Sequence, residues 1–233
     1  MAPWKAARAG DHLDQIDTPA LILDMDAFER NLGLLQNALS GSGVRLRPHA
    51  KSHKCPEIAL RQIAAGAVGI CCQKVSEAAV FVAAGIKDIL ITNQVVGAKK
   101  VAHALDLAQQ ARIGVLVDHE DQVTAFAQAS TARKIQIDVY IAVDVGMGRC
   151  GATSIDQAVA LARQIDQAPY LNFMGLQCYH GSAQHYRLPQ ERQSAIAAVC
   201  AKAAEAKAAI EKAGIAVERV TGAGTGSVML EGS

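Results

Sequence analysis

The stretch Ala64-Ala65-Gly66-Ala67-Val68-Gly69-Ile70-Cys71-Cys72-Gln73 and its near copy Ala83-Ala84-Gly85-Ile86-Lys87-Asp88-Ile89-Leu90-Ile91-Thr92 decide the fold. In each, a helical run ends at a glycine and an apolar segment follows. Glycine ends helices because it enters the left-handed conformation without steric cost. An apolar run too short for a helix suits a strand buried on both faces, as in a parallel sheet. The likeness of the two stretches points to reuse of one helix–strand unit.

The alternation extends in both directions. Strands are expected at Val44–Ala50, Val68–Cys72, Asp88–Thr92, Ile113–Val117, Ile137–Val143, Asn172–Gln177 and Val217–Thr221. Helices are expected at Pro56–Ala65, Ser76–Ala84, Lys99–Gln110, Asp121–Ser130, Ile155–Gln167 and Gln190–Ala213. Proline in the first turn and glycine after the last turn mark helix limits, as at Pro56 and Gly214. Apolar strands alternating with helices imply an α/β protein of the (β/α)8, TIM-barrel type. About seven strands are expected where closure takes eight, so the barrel reads as incomplete, with two unpaired edges. Residues 1–43 form a lead-in, with a strand Thr18–Asp24 lacking a partner and a helix Met25–Leu39, and residues 44–233 form the barrel.

Composition narrows the function classes. The 233 residues are 51% hydrophobic and 19% charged, with a net charge of +1. No basic or acidic block offers a nucleic-acid or membrane surface. The start, Met1-Ala2-Pro3-Trp4-Lys5, has no long apolar region, so no secretory leader is expected. The six cysteines are scattered without disulfide-type spacing, which fits buried reduced thiols and a cytoplasmic protein.

Four places carry chemistry. Strand periodicity puts Arg47, His49 and Lys51 on one face. Lys51 then sits at a strand's end, the catalytic side of such barrels, where an amine is open to pKa tuning; an exposed loop lysine is the plain alternative. After the last strand, Thr221-Gly222-Ala223-Gly224-Thr225-Gly226-Ser227 has the backbone freedom and hydroxyls to receive an anion, or is a flexible tail. Barrels commonly hold phosphate in such late loops, so a lysine and a phosphate loop together fit pyridoxal phosphate. Asp144-Val145-Gly146-Met147-Gly148-Arg149-Cys150-Gly151 brings an arginine toward a flat ligand, or holds a salt-bridged loop residue. Gln177-Cys178-Tyr179-His180-Gly181-Ser182-Ala183-Gln184-His185 supplies a tyrosine and two histidines for acid–base work. His180 and His185 in one loop are weak as a metal pair.

Five motifs in order make the resemblance specific. They are Arg47-Pro48-His49-Ala50-Lys51-Ser52-His53-Lys54, Gly69–Glu77, Asp144–Gly151, Tyr179–His185 and Gly222–Ser227. The chain resembles the D-threonine aldolase family, grouped with D-serine dehydratases and β-hydroxyaspartate aldolases on an alanine-racemase-like barrel. The resemblance implies that Lys51 binds pyridoxal 5'-phosphate covalently and that Arg149 faces its pyridine nitrogen. It implies that Gln73 and Tyr179 line the cofactor, that Gly224, Thr225 and Gly226 hold the phosphate, and that His185 lies near the substrate. Catalytic roles are expected for Lys51, Tyr179 and His185. The family pattern has three glycines where this chain has Gly222-Ala223-Gly224; a left-handed Ala223 is expected to be strained.

The implied reaction is retro-aldol cleavage of a D-3-hydroxy amino acid, such as D-threonine to glycine and acetaldehyde. D-serine or 3-hydroxyaspartate dehydration is the nearest alternative, followed by a non-catalytic pyridoxal-phosphate protein or an inactive fragment. Family members use a divalent metal such as manganese, held by a His-x-Asp or His-x-Cys pair near the C-terminus. No such pair follows the last strand here, so no metal ligand is assigned in this chain. Strand Thr18–Asp24 would join a C-terminal β-domain, expected to lie beyond this chain, and the complete protein is expected to be a homodimer.

Overall fold

The computed structural model describes residues 6–232; Met1–Lys5, read above for a leader, and Ser233 lie outside the described residues. The strands β1 (Ile70–Cys72), β2 (Asp88–Gln94), β3 (Arg112–Val117), β4 (Ile137–Ala142), β5 (Leu171–Cys178) and β6 (Arg219–Gly222) follow the expected order. So do the helices α1 (Met25–Ala38), α2 (Pro56–Ala64), α3 (Val75–Ala83), α4 (Ala98–Ala108), α5 (Glu120–Arg133), α6 (Ile155–Asp166) and α7 (Pro189–Lys212). A short helix, α8 (Val228–Glu231), follows β6. All neighbouring strands pair in parallel, in the sheet order β1-β2-β3-β4-β5-β6. Sequential parallel order is the barrel pattern, here a half-barrel left open.

Both faces of the sheet are buried, as the continuous apolar strands require. Ile89, Ile91, Ile113, Val115, Val139 and Ile141 pack into the large core against the helices. On the opposite face Cys71, Leu90, Leu116, Tyr140, Ala142 and Met174 form a smaller interior cluster. Polar pairs lie toward the start of the strands. Arg112 Nε meets Asp138 at 2.5 Å, Asn172 also donates to Asp138 at 2.8 Å, and Arg219 donates to the Tyr140 hydroxyl at 3.3 Å.

Two expected strands are not formed. Val44–Ala50 contributes one bridge, His49 to Cys71, instead of a full strand, so the sheet has six strands and not about seven. It still runs beside β1, through Val68 N–H to Leu46 O (2.9 Å), Cys71 N–H to Pro48 O (2.7 Å) and Ala50 N–H to Cys71 O (2.8 Å). Proline at 48 has no N–H, so the ladder cannot be regular there. Thr18–Asp24 is not a strand either. Leu21, Ile22 and Leu23 face solvent, and no strand lies beside them among the described residues. Cysteine burial is also narrower than expected: all six are free thiols, but only Cys71, Cys72 and Cys178 are buried and Cys200 is exposed.

The β4–β5 register shifts between Val139 and Tyr140, opposite Gly175. Gly175 has φ +135°, and a Cβ there would stand 1.9 Å from the Arg219 carbonyl oxygen. The three nearest atoms are all Arg219 backbone, so no flexible side chain can yield. Gly175→Ala is therefore expected to lower unfolding free energy by about 3 kcal/mol or more. Urea denaturation checks this, and an unchanged midpoint would contradict it.

Candidate active site

In a parallel sheet every strand ends on the same edge, which gathers residues far apart in sequence. Lys51 follows the segment beside β1, Gln73 follows β1, Asp118 follows β3 and Arg149 lies in the loop after β4. Tyr179 follows β5, and Gly224, Thr225 and Gly226 follow β6.

Lys51 is exposed in a tight turn closed by the Lys54 N–H donating to Ala50 O at 2.8 Å. His49 braces this turn from inside. Its Nδ1 accepts the Lys51 backbone N–H at 3.2 Å, which leaves Nε2 to carry the proton toward Thr92 Oγ1 at 2.7 Å. The Thr92 hydroxyl donates onward to Cys72 O at 3.2 Å. Burial, followed by the Lys51 ammonium, lowers the His49 pKa to about 4, so the ring is neutral at pH 7. Arg47, one residue pair earlier, meets Asp88 at 2.7 Å. The inward-facing set is thus paired: Arg47 with Asp88, and His49 with Thr92. Lys54 pairs with Glu77 at 3.7 Å, whereas Lys51 Nζ has no ion pair among the described residues. Glu77 also accepts the Gln73 N–H at 2.9 Å, which fixes the next strand end.

Across the sheet edge the Arg149 guanidinium lies over the Tyr179 ring, 5.7 Å from its centroid. Arg149 makes no salt bridge among the described residues, so it is not the paired loop arginine of the plain alternative. Its loop is shaped by Asp144, whose Oδ1 accepts the Gly146 and Gly148 N–H groups at 3.0 Å each. Burial pushes the Asp144 pKa up, but these N–H donors outweigh it and hold the carboxyl below its ordinary range. His180 is buried and its Nδ1 accepts the Ala183 N–H at 3.2 Å, while His185 is exposed at the end of the 3-10 turn Gly181–His185. No group of three His, Cys, Asp or Glu side chains suited to a metal occurs among the described residues.

The glycine loop is ordered by internal bonds and is not a loose tail. Gly224 N–H donates to Ser227 Oγ at 3.0 Å, and Gly226 N–H donates to Gln184 Oε1 at 2.5 Å. The Thr225 N–H and hydroxyl have no partner among the described residues, so they are free for an anion. Ala223 does adopt the left-handed conformation, at φ 63°. Its methyl is strained there by about 1 kcal/mol relative to glycine. An unpaired lysine amine at one flank and unclaimed loop donors at the other fit a phosphorylated aldehyde cofactor. Lys51 would take the aldehyde, and Thr225 with its flanking glycines would take the phosphate.

Comparison with known families matches residues 23–233 to "Alanine racemase, N-terminal domain". The chain belongs to this family. Within the alanine racemase N-terminal family, it is 52% identical to a D-threonine aldolase from Arthrobacter sp. over 225 residues, 95% of this chain and 58% of that protein. It is 38% identical to a 3-hydroxy-D-aspartate aldolase from Paracoccus denitrificans (strain Pd 1222), over 93% of this chain and 57% of that protein. The crystal structure of D-threonine aldolase from Filomicrobium marinum superposes with a TM-score of 0.95 at 49% identity, covering 98% of this chain and 62% of that one. The chain thus spans a little over half the length of the curated relatives it matches.

Several residues at this edge had no sequence signal. Asp118 Oδ2 accepts from Gln94 Nε2 at 3.0 Å and from Gly151 N–H at 2.9 Å, tying the ends of β2 and β3 to the Arg149 loop. Thr92 and Arg192 are likewise visible only through their partners in space, and Gln184, though inside the Tyr179–His185 motif, shows its role only through its bonds to the glycine loop.

The neutral His49 has a pH consequence. Its pKa is about 4 when folded, against 6.5 as the ordinary value, so the unfolded chain takes up the proton first as pH falls. Stability is therefore lost as pH drops from about 6.5 toward 4, by roughly 2 kcal/mol after allowing for partial exposure. His49→Gln is expected to flatten that slope in urea denaturation between pH 7.5 and 4.5. Parallel pH profiles for the two proteins would contradict the assignment.

Proposed function

We propose that the chain is the cofactor-binding part of a pyridoxal-phosphate lyase that cleaves D-3-hydroxy amino acids, D-threonine giving glycine and acetaldehyde. The observation that carries this reading is the gathering of Lys51, Gln73, the Arg149–Tyr179 stack and the Thr225 loop along one sheet edge. It is supported by the similarity to proteins named as D-threonine and 3-hydroxy-D-aspartate aldolases.

In this reading Lys51 binds the cofactor covalently, the loop Gly224, Thr225 and Gly226 receives its phosphate through the Thr225 donors, and Gln73 and Tyr179 flank it. Bound pyridoxal phosphate supplies an electron sink for the pair left when the Cα–Cβ bond breaks. Arg149 faces the ring nitrogen and, as a cation, leaves it unprotonated. Tyr179 holds Arg149 in place through the ring contact. His185, exposed on its turn, accepts the proton from the substrate's β-hydroxyl. His49 keeps the Lys51 turn rigid while staying neutral, so it adds no charge beside the amine. A D-amino-acid substrate, a cytoplasmic setting and a homodimer complete the proposal. Among the described residues no helix is long and apolar enough to cross a membrane.

Borohydride reduction with pyridoxal phosphate followed by peptide mapping tests the cofactor assignment. The pyridoxyl group is expected on Lys51; labelling of Lys54 or Lys74 in its place would overturn the reading. For substrate, a catalytically active form is expected to release glycine from D-threonine at least ~100-fold faster than from L-threonine. Equal rates would refute the stereochemical part.

A further inference from the structure

The turn that carries His185 is bound on both sides to the glycine loop. On one side, Gln184 Oε1 accepts the Gly226 N–H at 2.5 Å and Gln184 Nε2 donates to Ser227 Oγ at 3.1 Å. On the other, Arg192 of α7 donates through Nη2 to Tyr186 O at 2.5 Å and through Nη1 to Gly226 O at 3.2 Å. Ser227 is buried and its Oγ also accepts the Gly224 N–H at 3.0 Å, so both glycines are held by one network. The carboxamide of Gln184 lies where side chains on Gly224 or Gly226 would reach: a Cβ would stand 2.6 Å and 3.0 Å from it, respectively. These glycines therefore leave room for the Gln184 carboxamide. Among the described residues, the Thr225 N–H and hydroxyl, between the two glycines, have no partner.

We propose that Gln184 is a positioning residue, a strut that fixes the His185 turn to the phosphate loop so that phosphate occupancy and His185 placement are coupled. The inference rests on the cofactor reading above. Its logic is reciprocal: if filling the loop orders the turn, loosening the turn weakens the loop's hold on phosphate. Were Gln184 a plug that phosphate must displace, removing it would tighten binding.

The experiment uses Gln184→Leu, similar in size but without donor or acceptor, and Ser227→Ala, which removes the hydroxyl that receives both the Gln184 amide and the Gly224 N–H. Binding of pyridoxal 5'-phosphate and of unphosphorylated pyridoxal is followed by the visible absorbance that depends on Lys51, with Lys51→Ala as blank. Loss of two hydrogen bonds at the loop is expected to weaken pyridoxal 5'-phosphate about tenfold and to leave pyridoxal unchanged. Ser227→Ala is expected to change binding in the same direction. In parallel, the His185 ring resonance, assigned with His185→Gln, is expected to respond differently to the two aldehydes in the unsubstituted chain. In Gln184→Leu the two responses are expected to coincide. Unchanged or tighter pyridoxal 5'-phosphate binding in both variants overturns the strut, as does a His185 response that the substitutions do not alter. Absence of any Lys51-dependent band in the unsubstituted chain overturns the cofactor reading, and the inference with it.

Discussion

Pro48 takes one backbone donor out of the segment that leads to Lys51, and side chains hold the segment to the sheet in its place. The Arg47–Asp88 ion pair, at 2.7 Å with Arg47 largely buried, is the anchor. His49 and Thr92 form the second tie, four residues further along β2. Breaking a half-buried pair of this kind costs about 1–3 kcal/mol, because the surviving charge loses its partner without regaining full hydration. The position of Lys51 depends on both ties. So does its freedom, since the neutral His49 is satisfied by the Lys51 backbone N–H and the Thr92 hydroxyl, and the Lys51 amine has no ion pair among the described residues.

The same economy governs the opposite flank. Ser227, Gln184 and Arg192 meet the polar backbone groups of Gly224 and Gly226, which orders the glycine loop from within the chain. A loop that is already ordered gives up little conformational entropy when it binds an anion. Ala223 is the exception to local ease. Its left-handed backbone is held against its own preference, which requires the surrounding bonds to over-determine it. One of those bonds is its own N–H, donated to Glu231 of α8 at 2.9 Å.

Between the flanks, the Asp118 carboxylate and the Arg149–Tyr179 contact link strand ends that are distant in the chain. These contacts are lateral, running along the sheet edge from one loop to the next. They make the edge a continuous surface and not a row of separate turns.

The helix–strand alternation was legible in the sequence because apolar runs and glycine stops are local signals. The six helices read between Pro56 and Ala213 lie where their patterns placed them, while the short α8 had no expectation in the sequence. The motifs around Lys51, Arg149, Tyr179 and Gly224 could be found for the same reason, since each is contiguous. The strand readings at Val44–Ala50 and Thr18–Asp24 went astray because a strand is defined by its neighbour. Pro48 spoils the ladder of the first, and no strand adjoins the second among the described residues. Pairing of Arg47 with Asp88, the neutrality of His49, the left-handed Ala223 and the Gln184 strut were decided only by tertiary structure. Each depends on a group 40 or so residues away or on backbone torsion, and neither is written in local residue type.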